Sequence, residues 1–555
     1  MVMEQSLEEI YDRLSDKFFD IFYAYYPVHA TRQGLHQYDN SLGHYRRSEI
    51  DETLRQMKAV QAQVAAIDPQ QMDHLHALDH PVLTTRLKRE IYWIETWRFW
   101  ENNPLFYKDI IVEGMFNLVS RDFAPLETRL KSLVARQKDV PGVLQAAREN
   151  LINPPVEYTN QAIAQVPGVL NFLTKLPEVF RTVTDQELLA EFAQTNAMVM
   201  DEMEKYLNFL EQDLLPRSHG NFAVGEAGIQ AIIDAEEMID VPVLDILDRC
   251  YQDLAKAEVE IAEVARQIDP TVTVPDLVKR MRADHAAPEE LHQVISEELT
   301  RVRNYLTEYD LMTVPPELPQ VIVTPMPDYA SGGGMMLTPG PFETVAEESY
   351  LALQIPKPDW DQSRIDGLWS DFNTYALALL MIHECYPGHH TQFFLEKRVQ
   401  MRASKDHDSD SNSDGWAEYG KYMMVDHVYA SKNLFYRLAV LLSKRSYIAA
   451  AIAGMEIHLQ KKTLPEASDF LMEKQGRTRE NTYIWVLNRA THYPTHLTYY
   501  IGSEMVRKLH EDYRALKGSE YSLKEFNDRF LTYGLIPIKV IRQDMLGKAD
   551  DGVLF

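Results

Sequence analysis

Residues 375–390 read YALALLMIHECYPGHH. Tyr375 to Ile382 are apolar nearly all round, which predicts a buried helix. That helix delivers His383, Glu384, His389 and His390 to the interior, and a site on the end of a buried helix is held rigid. A His followed at once by Glu, with more His a turn or two later, is the pattern of a zinc hydrolase. The rings bind Zn2+ and the Glu acts as base toward water. The usual H-E-x-x-H spacing is interrupted, because Pro387 stands where the second ligand is expected. On a regular helix His389 would lie roughly 240° around from His383, and His390 about 10 Å along the axis. Pro387 cannot donate to the carbonyl of His383, and Gly388 tolerates unusual dihedrals. The helix, expected over residues 369–396, therefore loosens or bulges here and brings a later His back to the metal. His389 is the expected second ligand, with His390 as its substitute. Cys385 reads as a packing residue.

Outward from this stretch, most of the chain reads as long amphipathic helices, for example residues 7–25, 50–67, 82–100, 188–215 and 243–268. In the last, Leu244, Leu247, Tyr251, Leu254 and Val259 recur at helical spacing. Pro141, Pro154-Pro155, Pro167, Pro216 and Pro270 are read as punctuating the joins. Residues 314–342 differ. They hold Val321-Ile322-Val323, many prolines and Ser331-Gly332-Gly333-Gly334. They predict short strands with tight turns, either a plain hairpin or an edge strand beside the metal helix on which an extended peptide lies, with Gly333 in contact. No P-loop or dinucleotide fingerprint accompanies these glycines. The polar run 403–413 is expected as a mobile loop, with a helix starting at Asp414.

The predicted fold is mostly α: a large bundle-like helical protein with a deep cleft and a small β hairpin or sheet near the metal-site helix. Residues 1–310 form an N-terminal helical region, 311–345 a β-rich edge segment, and 346–555 a C-terminal helical region carrying the metal site, together one catalytic unit.

The 555 residues suffice for a large core. The net charge of −27 argues against nucleic acid and anionic membranes as partners. Two cysteines, Cys250 and Cys385, imply no disulfide framework. No basic start followed by an apolar run is visible, and no stretch approaches the roughly 20 apolar residues of a membrane span. The expected compartment is the cytoplasm. The oligomeric state is left open, a homodimer included.

Further motifs complete the picture: Asp414-Gly415-Trp416-Ala417-Glu418-Tyr419, then Pro494 and Tyr499-Tyr500-Ile501-Gly502. With His383 to His389 they resemble the peptidase-like family called domain of unknown function 885, whose pattern is H-E-x-x-P-G-H, E-G-W-A-x-Y and P…Y-x-x-G. Weaker matches run from Pro27, Ala30-Thr31, Gly34 and Tyr38 to Glu525-Phe526-Asn527-Asp528 and Gly534-Leu535-Ile536-Pro537, so the resemblance covers nearly the whole chain. It implies a mostly helical, zinc-metallopeptidase-like protein, distantly similar to funnel-shaped helical carboxypeptidases and oligopeptidases. It also implies the third zinc ligand at position 414, where the family's Glu is Asp here. Asp414 is a shorter ligand and also a good helix N-cap. Glu418, one turn on, is the alternative ligand. Asn527 replaces a family His.

Residues 488–502 gather Arg489, His492, His496, Tyr499 and Tyr500. A metallohydrolase needs a donor for the oxyanion and a partner for a substrate carboxylate. Tyr499 and His496 are the catalytic candidates. Arg489, His492 and Tyr500 are the substrate-binding ones. Gln392 and His458 are candidates for orienting ligand rings. The expected activity is zinc-dependent hydrolysis of short peptides. The alternatives are a catalytically silent binding protein of the same fold and an amidohydrolase for a small non-peptide amide.

Overall fold

A computed structural model describes residues 5–287, 290–326, 334–356, 360–476, 479–491 and 496–555. Helices dominate, with three short strands. The chain divides into two compact units. The first comprises residues 1–222, 339–347 and 401–406, the second residues 223–338, 348–400 and 407–555. The first of these divisions falls at Phe222.

In the first unit, Leu7–Tyr25 starts at Ser6, whose hydroxyl accepts from Glu9 N while Glu9 reaches back to Ser6 N. Its buried stripe is aromatic: Tyr11, Phe18, Phe19, Phe22 and Tyr23. The prolines behave unevenly. Pro155 caps the start of Val156–Val179, and Pro216 lies in a short 3-10 turn. Pro141, however, lies inside Leu126–Asn150, and Pro167 inside Val156–Val179. An internal proline costs about 3 kcal/mol. Burial of Leu130, Leu133 and Val134 on one side of Pro141, and of Val143 and Leu144 on the other, outweighs it.

The second unit begins with Gly225–Glu237 and Val243–Ile268. The latter has the bounds its periodicity predicts, but the buried stripe is rotated from the expected one. Ile246, Leu247, Cys250, Leu254, Ala257 and Ile261 are buried, whereas Leu244, Tyr251 and Val259 are exposed. This stripe packs along Leu434–His458, which is why these helices belong here. Among the described residues, Leu434–His458 is long and apolar enough to cross a membrane, against the expectation that no stretch is; 67% of its apolar window is buried in the fold.

The β segment is also rearranged. Strands β1 (Ile322–Pro325), β2 (Gly334–Leu337) and β3 (Tyr350–Leu353) form one sheet in the order β1-β3-β2. β1 and β3 are parallel, with Ile322 opposite Tyr350; β2 and β3 are antiparallel. The expected small sheet is thus present, but among the described residues β1 and β2 do not pair as a hairpin; β3, from beyond residue 342, lies between them. Leu351, Ala352 and Leu353 are buried, and this apolar run takes the central place.

Candidate metal centre

The buried helix is Thr374–Glu384, shorter than expected, with Asn373 accepting from Tyr375 N and Ala376 N at its start. It does not bulge; it stops. Tyr386–Pro387 is a cis peptide, and a new helix, His389–Glu396, starts after Gly388. Gly388 N donates to Ile382 O. A Cβ on Gly388 would lie 1.7 Å from His383 O, so only glycine permits this reversal. The turn sets His389 against His383, with ring centroids 4.7 Å apart and planes at 86°.

The third member comes from Asp410–Met424. This helix starts earlier than expected: Ser409 is its cap, accepting from Asn412 N. Asp414 is the fifth helical residue and not an N-cap. The polar run before it is not a mobile loop either. Ala403 and Ser404 lie in a short helix, and Asp406, His407, Ser409, Ser411 and Asn412 are buried. Glu237 accepts from Ser409 Oγ and Ser411 N. Asn412 donates to Gly534 O and Ile536 O, and accepts from Gln392. Every polar group that finds a buried partner can be buried at little cost, and local composition does not reveal that partner.

Asp414 Oδ1 lies 3.5 Å from His389 Nε2 and 3.9 Å from His383 Nε2. One donor atom from each residue falls within 4.8 Å of the other two, the only such His/Cys/Asp/Glu group found among the described residues. The outer ring nitrogens are engaged. His383 Nδ1 is 3.0 Å from Glu418 Oε1, and His389 Nδ1 is 3.2 Å from Ser413 Oγ. Glu418 therefore stands behind His383, outside the triplet, beside Lys421 Nζ at 2.5 Å. His390 points elsewhere: its Nε2 donates to Pro319 O at 2.9 Å, as does Tyr386 Oη at 3.3 Å. Those bonds fix the segment leading into β1 beside the metal motif. Burial, with the Arg303 charge, pushes the His390 imidazole down to about 4.

The electrostatics follow. Burial opposes charge on His389, but its bond to Asp414 and the charges of Glu384, Asp414 and Glu418 hold its pKa above the ordinary value. The Asp414 charge and burial raise the Tyr499 phenol well above its normal range; its hydroxyl is bonded to Asp414. The Tyr499 ring lies parallel to His383, with centroids 6.1 Å apart. Burial likewise raises the Cys385 thiol, which fits packing. Two glycines set this geometry. Gly415 and Gly502 face each other where Asp410–Met424 crosses His496–Lys517: a Cβ on Gly502 would meet Ser411 O at 2.1 Å, and one on Gly415 would meet Gly502 C at 2.4 Å.

Other expected residues have partners outside the triplet. The Tyr500 hydroxyl donates to Asp253. The Arg489 guanidinium lies over Trp485, and its carbonyl oxygen is 3.1 Å from His458 Nε2. Asn527 is buried, donating to Leu311 O. His492, Gly333 and the His496 side chain lie outside the described residues. Lys421, Ser443 and Tyr447 also gather behind Glu418; in the sequence, only the i,i+3 spacing of Glu418 and Lys421 points to them.

The family description "Bacterial protein of unknown function (DUF885)" matches residues 27–545. Two solved structures share the fold. A "putative lipoprotein of unknown function from Shewanella oneidensis" superposes with a TM-score of 0.82 at 21% identity, over 98% of this chain and 100% of that one. A "putative lipoprotein from Colwellia psychrerythraea" gives 0.75 at 16% identity, over 99% and 100%. At these identities the likeness is one of fold alone. No curated protein matches the chain.

Proposed function

The chain belongs to the DUF885 family, and from that premise we propose that it is a zinc-dependent hydrolase cleaving the amide bonds of short peptides. The observation that carries this reading is the convergence of His383 Nε2, His389 Nε2 and Asp414 Oδ1 within 4.8 Å. Two imidazoles and one carboxylate are a donor set that suits zinc and leaves a position open. Bound there, zinc supplies a Lewis acid that polarises a carbonyl and makes water more acidic. His383 and His389 keep their Nε2 lone pairs available because their Nδ1 atoms face Glu418 and Ser413. Glu384, next to His383, takes the proton of the attacking water and later hands it to the leaving amine. The Tyr499 hydroxyl, bonded to Asp414, turns to donate to the oxyanion. The Tyr500 hydroxyl, bonded to Asp253, has no role in this reading.

His383 and His389 are only 7% and 8% exposed. A folded protein does not bring its backbone to so buried a site, so short peptides are the substrates. The departures from the family pattern at Asp414 and Asn527 are what would favour a catalytically silent binding protein. Asn527 is a buried bridge to Leu311 O, which accounts for it without reference to catalysis. The compartment we expect remains the cytoplasm, which two buried free cysteines suit; the solved relatives are described as lipoproteins, and fractionation of the native host tests the point.

The test is metal analysis of the purified protein, then digestion of a peptide library by the zinc-loaded form beside a folded globular protein. One zinc per chain and cleavage of short peptides only is the expected result. Cleavage of small non-peptide amides alone would shift the reading to an amidohydrolase. No bound zinc would overturn it.

A further inference from the structure

Lys421 is 4% exposed and Glu418 1% exposed. A lysine is rarely so buried unless its charge has a partner and its remaining donors are used. Here the charge has a carboxylate partner, a second donor is used by Ser443, and the ammonium faces an aromatic ring, on a path that leads to the proposed metal ligands. Lys421 Nζ lies 2.5 Å from Glu418 Oε1, and the same oxygen lies 3.0 Å from His383 Nδ1. Lys421 also donates to Ser443 Oγ at 3.1 Å and sits 4.9 Å from the centroid of the Tyr447 ring. Tyr447 stacks on Tyr499 at 5.1 Å, and Tyr499 is bonded to Asp414. The buried path therefore starts at one ligand, His383, and returns at another, Asp414. Lys421 is its single cation, one turn beyond Glu418 on the same helix.

We propose that Lys421 is a positioning residue for the metal centre: by holding Glu418 Oε1 in place it fixes the ring of His383, and by packing under Tyr447 it supports the Tyr499–Asp414 side. This rests on the zinc reading above. The physical reason is directional. A carboxylate with one charged neighbour turns about its terminal bond more freely than one held between an ammonium and an imidazole. Partners of this kind behind a ligand typically account for roughly 10–100-fold in metal affinity. Glu418 is thereby a support for His383 and not itself a ligand.

The test uses the full chain with Zn2+ and Co2+ as probes. Zinc affinity is read by competition with a chromogenic chelator, and ligand geometry by the visible bands of the Co2+ form. Lys421→Met should weaken zinc binding by roughly 10–100-fold and shift the Co2+ bands. Lys421→Arg, which keeps charge and donors, should recover most of both. Unchanged affinity and spectrum in a folded Lys421→Met would overturn the inference. Should Lys421→Met fail to fold, Ser443→Ala decides: it removes the hydroxyl that anchors Lys421 and also contacts Tyr447, so it loosens both arms of the path, and a spectrum identical to wild type would count against the role as fully. Wild type binding neither metal overturns the zinc reading itself, a separate outcome.

Discussion

The duties proposed for Glu384 and Asp414 differ, and single substitutions separate them. Glu384→Gln is nearly isosteric yet accepts no proton. It should keep zinc and lose turnover by roughly 10²–10⁴-fold, measured on the best peptide from the library. Retained activity would remove Glu384 as the base. Asp414→Ala should release zinc at unchanged helix capping, since Ser409 is the cap; a metal assay after dialysis reads this directly. His390→Ala should keep zinc, because its ring is bonded to Pro319 O. It should still cost about 2–4 kcal/mol of stability through a lost buried bond and a cavity. Loss of zinc from His390→Ala, with His389→Ala unaffected, would exchange the two histidines.

At the scale of elements, the site depends on how closely Asp410–Met424 crosses His496–Lys517. Gly502 meets backbone, Ser411 O and Gly415 Cα, and backbone yields little. Gly502→Ala should therefore cost about 3 kcal/mol in a thermal or denaturant melt. It should also move Tyr499, one turn before it, away from Asp414. A variant as stable as wild type would show that the helices part freely. The two glycines stood out in the sequence as motif positions, but spacing could not say that they face each other. Likewise Pro387-Gly388 announced a break in the helix, while its form, a stop followed by a new helix at His389, depended on the approach of Gly388 to His383 O.

At the scale of the molecule, residues distant in the chain close each unit. In the first unit His36 stands between Asp39 and Glu343, at 3.1 and 2.9 Å, stacked on Phe123. Burial opposes its charge, but the bonds to Asp39 and Glu343 win and raise its pKa to about 9. The unfolded value is about 6.5. The folded form thus binds the proton more tightly, so this clasp contributes fully below about pH 6.5 and is lost as pH rises toward about 9. The ring is 29% exposed, and screening reduces the effect to about 1–2 kcal/mol. Melts of wild type and His36→Gln should converge as pH rises through that window; a constant gap would reject the clasp. In the second unit, zinc that binds only the native site should raise stability by about 2.7 kcal/mol at a free concentration a hundred times its Kd. A chelator should lower the melting temperature accordingly, and should not do so in Asp414→Ala.

What the chain determined alone was what depends on periodicity and short spacing. Helices Leu7–Tyr25 and Val243–Ile268 have their predicted bounds, because an amphipathic stripe is a local property. The short motif that holds His383 and His389, two of the three residues the structure brings together, was likewise visible as a local pattern. What only the tertiary structure decided was everything set by a distant partner. The strand that separates β1 from β2, the continuity of the helix through Pro141, and the burial of the polar run before Asp414 all depend on groups far along the chain. So does the choice between two carboxylates one turn apart. On the helix, Asp414 and Glu418 are equivalent neighbours; it is the positions of His389 on one side and Lys421 and Ser443 on the other that make Asp414 part of the triplet and leave Glu418 outside it, beside His383 Nδ1.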